Sequence, residues 1–332
     1  MTANDVLVIA WLVLAHLIAD FVLQTDRVAT AKFATGARAW RGLAAHWFTV
    51  AVAMLPVPFA FGGRGLVALL AISIVHAVID RSKVVLTRRV EAAALEEAAL
   101  MHEAPAVAAS LGSAWTPVPA ALFVLDQIAH GLVIVFGWAV FLRGAPLDSG
   151  WVNAWASALG GFDQAALHRA ILTGVVILAL AIVNVRAGSL LVATLVNPRE
   201  VIPGGDPRDS GPPAGDVEAA EQATAYTFRV GPFVARAEPA VPPRIVTPAG
   251  SRSLASPERV GEAIGVLERL LIVTFVLTAN QAAIGFVVAA KTLARFKQLD
   301  DRRFAEYYLL GTLASVSVAL ASGLLAAAAL SA

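Results

Sequence analysis

Three pairs of histidine and aspartate stand four residues apart inside otherwise apolar runs: His16 with Asp20, His76 with Asp80 and, in reverse order, Asp126 with His130. Residues at that spacing share one face of a helix, about 6 Å apart along its axis, so both members of a pair can reach one object. Imidazole and carboxylate without thiolate are the donor types that suit Zn²⁺, Mn²⁺ or Fe²⁺. With His46 the candidate ligands number seven, more than the four of a single tetrahedral site, so the donor set has room for two ions. Such a centre would polarise a substrate and activate water. Asp80 and Asp126 would then act in catalysis as well as ligation, with Lys83 or Arg81 steadying an anion. The sequence contains no cysteine, which excludes disulfides, thiolate ligands and cysteine nucleophiles.

The order of residues within the pairs carries a further argument. His precedes Asp in the first and third apolar runs, which the topology below takes inward, and Asp precedes His in the fourth, which it takes outward. All three aspartates therefore fall nearer the inner surface, with the histidines one turn deeper and His46 in the same layer. An Asp near the middle of a span costs about 2.5 to 3.5 kcal/mol on insertion scales, less towards the interface. Three of them need compensation, and intramembrane ionisable groups normally find it by facing one another inside the bundle.

The elements that position these residues are membrane spans. Of the 332 residues, 58% are hydrophobic and only 15% are charged, and the mean hydropathy is +0.73. Apolar residues in span-length runs at that density indicate a polytopic, all-α transmembrane bundle. Its length accommodates seven or eight spans and one long loop. A formal net charge of +1 argues against a nucleic-acid binder. The first run lacks a basic leader segment and is expected to be a retained span.

Span one covers about residues 6 to 23. Arg27, Lys32, Arg38 and Arg41 follow it and only Asp5 precedes it, so the positive-inside rule puts the N-terminus outside and this basic stretch in the cytoplasm. Span two is expected over residues 42 to 61, with Trp40 and Trp47 at the headgroup level. Span three runs over residues 66 to 86 and ends at Arg81, Lys83, Arg88 and Arg89. An Ala- and Glu-rich helix follows, on which His102 reads as a surface residue. Span four covers residues 120 to 142. The external segment from Arg143 to Asp163 carries Trp151 and Trp155 without a chemical signature. His168 reads as an interfacial residue at the start of span five, which continues to about Val196 with Arg186 snorkelling to the headgroups.

Residues 197 to 260 hold eleven of the seventeen prolines and are expected to form a disordered cytoplasmic loop between the five-span domain, 1–196, and the C-terminal part, 261–332. In that last part an apolar run bracketed by basic clusters suits a helical hairpin turning near Asn280 and Gln281, followed by a final span over residues 309 to 330. Lys291 and Arg295 share a face and have Glu268 and Glu306, or a lipid phosphate, as candidate partners.

The motifs His16-x3-Asp20-Phe-x2-Gln24, His76-x3-Asp80-x2-Lys83 and Asp126-Gln127-x2-His130 resemble those of a bacterial membrane family known as domain of unknown function 3307. Gly265-Val-Leu-Glu-Arg269, Ala283-Ile-Gly-Phe286, Ala290-Lys291, Arg295-Phe296 and Glu306-Tyr-x2-Leu-Gly-Thr312 resemble the segment that follows in its longer members. The resemblance implies a membrane location and brings no activity with it.

Three functional classes fit these residues. One is a membrane-embedded, metal-dependent hydrolase or phosphotransfer enzyme acting on a lipid-linked or amphipathic substrate at the inner leaflet. Another is a transporter using the cluster as a proton or metal-ion relay, for which the outer halves of the spans offer little beyond Ser73. The third is a structural protein whose buried polar groups specify helix packing. No Gly-rich phosphate loop, nucleophile elbow or nucleotide fingerprint stands in a suitable context. Nothing in the sequence fixes the oligomeric state.

Overall fold

The computed structural model describes residues 2–101, 118–158, 163–196, 226–230, 233–237 and 257–331. They fall into two units, one formed by residues 1–204 and 261–332 and the other by residues 205–260. Among its described residues the first unit contains only helical elements.

Helix α1, Ala3–Leu17, is an uninterrupted apolar run started by a capping box in which the Thr2 hydroxyl accepts from the Asp5 amide at 3.2 Å. It passes into a π-helical turn, Ile18–Val22, that contains Asp20. After a short break Thr25 caps α2, Asp26–Lys32. That seven-residue helix lies close against α3, Gly36–Ala53: a Cβ on Gly42 would stand 2.8 Å from Ala31 Cβ and from the Lys32 amide.

Helix α4, Pro56–Met101, is broken at Gly62, whose φ of +57° and ψ of −135° only glycine adopts readily. From there the helix runs past His76, Asp80 and Lys83 to Arg88, whose guanidinium donates to the carbonyls of Phe33 and Ala34 at the end of α2. Helix α5, Val118–Gly137, ends in a second π-turn, Trp138–Leu142. Gly137 lets it approach α4 closely, since a Cβ there would meet Ile72 Cγ1 at 2.6 Å. A short helix α6, Ser149–Ala158, precedes α7, Gln164–Ile182, which continues through a third π-turn, Val183–Ala187, into α8, Gly188–Val196.

The C-terminal helices are α9, Pro257–Leu277, α10, Ala282–Ala294, and α11, Arg302–Leu330. The turn between α9 and α10 places Ala279 at φ +57°. Lys291 reaches Glu268 at 2.5 Å, whereas Arg295 donates to Gln298 at 3.0 Å and Glu306 accepts from Arg302 at 2.9 Å.

One apolar core packs α1, α3, α4 and α5 together through Leu12, Ala15, Ala19, Met54, Ile72 and Ile134. A second joins α1 to α7, α9 and α11 through Val6, Leu172, Val176, Ile272 and Ala319. Near the second core Arg269 is 2% exposed and donates to the Asn184 carbonyl at 2.6 Å, Ser189 Oγ at 2.7 Å and Ser315 Oγ at 3.2 Å. The π-turn frees that carbonyl from the regular helical ladder, so α9 is tied across to α7, α8 and α11.

The outer surface is apolar. Phe136 is 70% exposed and Phe286 77%, as lipid-facing side chains are and core side chains of a water-soluble protein are not. Five helices are long and apolar enough to cross a membrane: Ala3–Val22, Pro56–Val90, Val118–Leu142, Ala165–Val196 and Phe304–Leu330. Helices α3 and α9 are not among them, and α10, with 13 residues, is shorter than a crossing needs. The five differ in number from the seven or eight spans expected from the sequence. Helix α3 carries Arg38, Arg41, His46 and Thr49, which lower its mean hydropathy.

Most of the stretch 197–260 lies outside the described residues, as does His102. The second unit contains two strands, β1, Tyr226–Val230, and β2, Phe233–Ala237, paired antiparallel with Tyr226 opposite Ala237.

Candidate metal centre

Four helices of the N-terminal part each deliver at least one polar residue to a single buried point. Helix α1 and its π-turn bring His16 and Asp20, α3 brings His46, α4 brings His76 and Asp80, and α5 brings Asp126 and His130. All seven candidate ligands are thus brought together. Six are buried, and the Asp20 side chain is 10% exposed. The imidazoles pack ring against ring, with centroids 4.2 Å apart for His76 and His130 and 4.7 Å for His16 and His130.

The largest set is Asp20, His46, His76 and Asp80, whose ligand atoms all lie within 4.8 Å of one another. His46 Nε2 stands 3.0 Å from His76 Nε2, 3.2 Å from Asp20 Oδ1 and 3.3 Å from Asp80 Oδ2. His76 Nε2 stands 3.3 Å from Asp20 Oδ1 and 3.8 Å from Asp80 Oδ2. Nitrogen and oxygen ligands at about 2.0 to 2.1 Å from a tetrahedral Zn²⁺ are separated by about 3.3 Å, the edge of the tetrahedron. The five distances cluster around that value.

Two further sets overlap the first, His16 with His76 and His130, and Asp80 with Asp126 and His130. Their hydrogen bonds leave ligand atoms free in the manner of metal-bound histidines, whose second nitrogen is held by a carbonyl or carboxylate. His130 Nδ1 donates to the Asp126 carbonyl at 2.8 Å, which assigns the lone pair to Nε2, and that atom is buried without a hydrogen-bond partner. His16 Nε2 donates to Gln127 Oε1 at 3.2 Å, leaving Nδ1 likewise buried and unpartnered. Asp20 Oδ1 and Asp126 Oδ1 accept no hydrogen bond either. Orphaned buried acceptors converging from α1 with its π-turn and from α5 are what a cation would satisfy. The residues present therefore fit a divalent metal.

Two lysines share the carboxylates. Lys32 Nζ donates to Asp80 Oδ2 at 2.8 Å and to Gln24 Oε1 at 2.7 Å, from a side chain only 9% exposed. Lys83 Nζ donates to Asp126 Oδ2 at 2.8 Å, is 29% exposed, and lies 5.4 Å from the centre of the Phe123 ring. Gln127 Nε2 also donates to Asp126 Oδ2, at 3.0 Å. Arg81 is not at the centre: its guanidinium lies over the Trp40 ring at 5.7 Å. His168 is elsewhere too, with Nε2 3.2 Å from the Ala3 carbonyl at the start of α1.

Sequence reasoning missed Lys32 and Gln127 as parts of the site. Gln127 had a signal, because it stands beside Asp126 in the motif Asp126-Gln127-x2-His130. Lys32 had none in periodicity, since it reaches Asp80 only because α2 folds back over the cluster. A cavity of about 10 Å³, room for one water, adjoins the histidines. His16, His76 and His130 line it on one side and apolar side chains such as Leu12, Met54 and Ile72 on the other.

Residues 8–152 match the model of the family described as Protein of unknown function (DUF3307). All seven residues of the cluster, and both lysines, lie inside the matched segment. The C-terminal motifs around Gly265 and Glu306 lie beyond it. No curated protein and no solved structure matches the chain.

Proposed function

We propose that the domain is an intramembrane divalent-metal centre belonging to a hydrolase of lipid-linked or amphipathic substrates, opening towards the cytoplasmic face of a bacterial inner membrane with the N-terminus outside. The observation that carries the reading is the set of five ligand-atom separations of 3.0 to 3.8 Å among Asp20, His46, His76 and Asp80. A Zn²⁺, Mn²⁺ or Fe²⁺ ion held there would supply Lewis acidity and a nucleophile at neutral pH. Asp20, His46, His76 and Asp80 would hold that ion. Asp126 and His130, adjoining them, are placed to orient water and to accept or return a proton. Lys83 stands at the half-buried rim, where a substrate would enter.

Ion transport is the second reading, and near-complete burial of the cluster favours it. The apolar lining of the adjoining cavity speaks against it, because a conducted ion would need polar groups in sequence beyond the histidines.

Elemental analysis of the purified full-length protein tests the centre. Wild type is expected to retain stoichiometric divalent metal, and His76→Ala and Asp80→Ala to lose most of it while remaining folded by circular dichroism. Equal metal content in wild type and both variants would remove the reading. Hydrolysis of an amphipathic ester by wild type but not by Asp126→Asn separates the enzyme from the transporter.

A further inference from the structure

The two lysines are not explained by metal binding alone. With the imidazoles neutral, the three carboxylates Asp20, Asp80 and Asp126 and the ammonium groups of Lys32 and Lys83 leave one negative charge in the buried cluster. A divalent ion converts this to one positive charge. That ion would share the Asp80 Oδ2 atom with Lys32, which already lies 2.8 Å from it. Two cations around one oxygen repel strongly where water is scarce. Neither Gln24 nor Gln127, both neutral, can relieve that repulsion. An anion placed among them does.

The positions of the two ammonium groups indicate which kind of anion. Asp80 and Asp126 belong to one ligand group, with His130, whose atoms lie within 4.8 Å of one another, so Lys32 and Lys83 approach the same region through them. Two ammonium point charges and one divalent ion present three positive partners. A phosphate group has enough oxygens to meet all three, whereas a carboxylate has two. Lys83, partly exposed and set against Phe123, gives the apolar flank that an amphipathic phosphate ester requires.

Building on the metal centre above, we propose that Lys32 and Lys83 form a clamp for the phosphate group of the substrate, so that divalent metal and phosphate bind this site cooperatively. Before the ion arrives the lysines neutralise Asp80 and Asp126. Once it is in place, they turn to the incoming phosphate.

The test is Mn²⁺ binding to the purified full-length protein in a phosphate-free detergent, followed by loss of the free-ion EPR signal. It is run alone, with inorganic phosphate, and with dihexanoyl phosphatidic acid. At least one of the two phosphate sources is expected to tighten Mn²⁺ binding about tenfold, within the usual range of coupling between sites. Tightening by phosphatidic acid alone identifies a lipid headgroup as the source, and tightening by both identifies the phosphate group itself. Lys32→Met and Lys83→Met are expected to lose the coupling, and Lys32→Arg to keep it, which a purely structural role for these side chains would not produce. Mn²⁺ binding that neither phosphate source changes, or coupling that survives in Lys32→Met, overturns the clamp and leaves the metal centre standing. Failure of wild type to bind Mn²⁺ at all would instead count against the centre and the clamp together.

Discussion

At the residue scale the centre is a problem of buried charge, and Lys83 is the place to measure it. Its ion pair with Asp126 joins a side chain 29% exposed to one 2% exposed, so removing the lysine leaves a nearly anhydrous carboxylate with Gln127 as its remaining donor. Lys83→Met is expected to destabilise the metal-free protein by about 2 kcal/mol, less than for a wholly buried pair because the ammonium is partly hydrated. Adding Asp126→Asn should recover much of the loss. Thermal unfolding in detergent reads both, and a single variant as stable as wild type would show that the pair contributes nothing. The same charge logic explains what the sequence could and could not disclose. His16, Asp20, His76, Asp80, Asp126 and His130 announce themselves because each pair repeats at helical spacing within apolar surroundings. Lys83 is legible for the same reason, three residues from Asp80 on one helix. Lys32 sits in the basic flank of the first span and reads there as an orientation signal. Its second role depends on a chain reversal that no local pattern encodes.

At the scale of elements, close helix approach positions the residues, and glycine permits it. Gly42 holds α2 against α3 with no room for a methyl group, the nearest backbone atom being the Lys32 amide at 2.8 Å. Gly42→Ala is expected to push α2 away, lengthen the Lys32–Asp80 pair and lower stability by about 1 to 3 kcal/mol, the usual cost of overpacking. Gly174→Ala on α7, where a Cβ would meet nothing within 4 Å, serves as the control and should stabilise slightly. Parallel melting curves decide, and equal shifts for the two variants would refute the argument. The π-turns belong to this scale as well. Hydrophobic periodicity locates α1, α5 and α7 but is blind to one extra residue in a turn. The placement of Asp20, and the release of the Asn184 carbonyl to Arg269, could therefore not be read from the sequence. Five described helices have the length and apolarity of a crossing. Residues 36–53 also form a helix, whose Arg38, Arg41, His46 and Thr49 make it less apolar than those five.

For the whole molecule, the membrane is the environment against which topology can be tested. The chain has no cysteine, so single introduced thiols report on their side of the bilayer without background. In the proposed orientation Ser82→Cys, beside the centre on α4, should react with an impermeant maleimide only after the inner face is exposed, and Asp148→Cys, before α6, should react in intact spheroplasts. Labelling with the opposite sidedness would invert the proposed topology and place the centre at the outer leaflet. One feature of the molecule also bears on its biogenesis. A cluster of carboxylates inside a membrane protein would ordinarily need its ion during insertion, as small zinc modules need theirs in order to fold. Here Lys32, carried on a helix outside the five long apolar ones, occupies Asp80 in advance. Were the centre to take a metal as proposed, the bundle could assemble first around its ammonium placeholders and receive the ion afterwards.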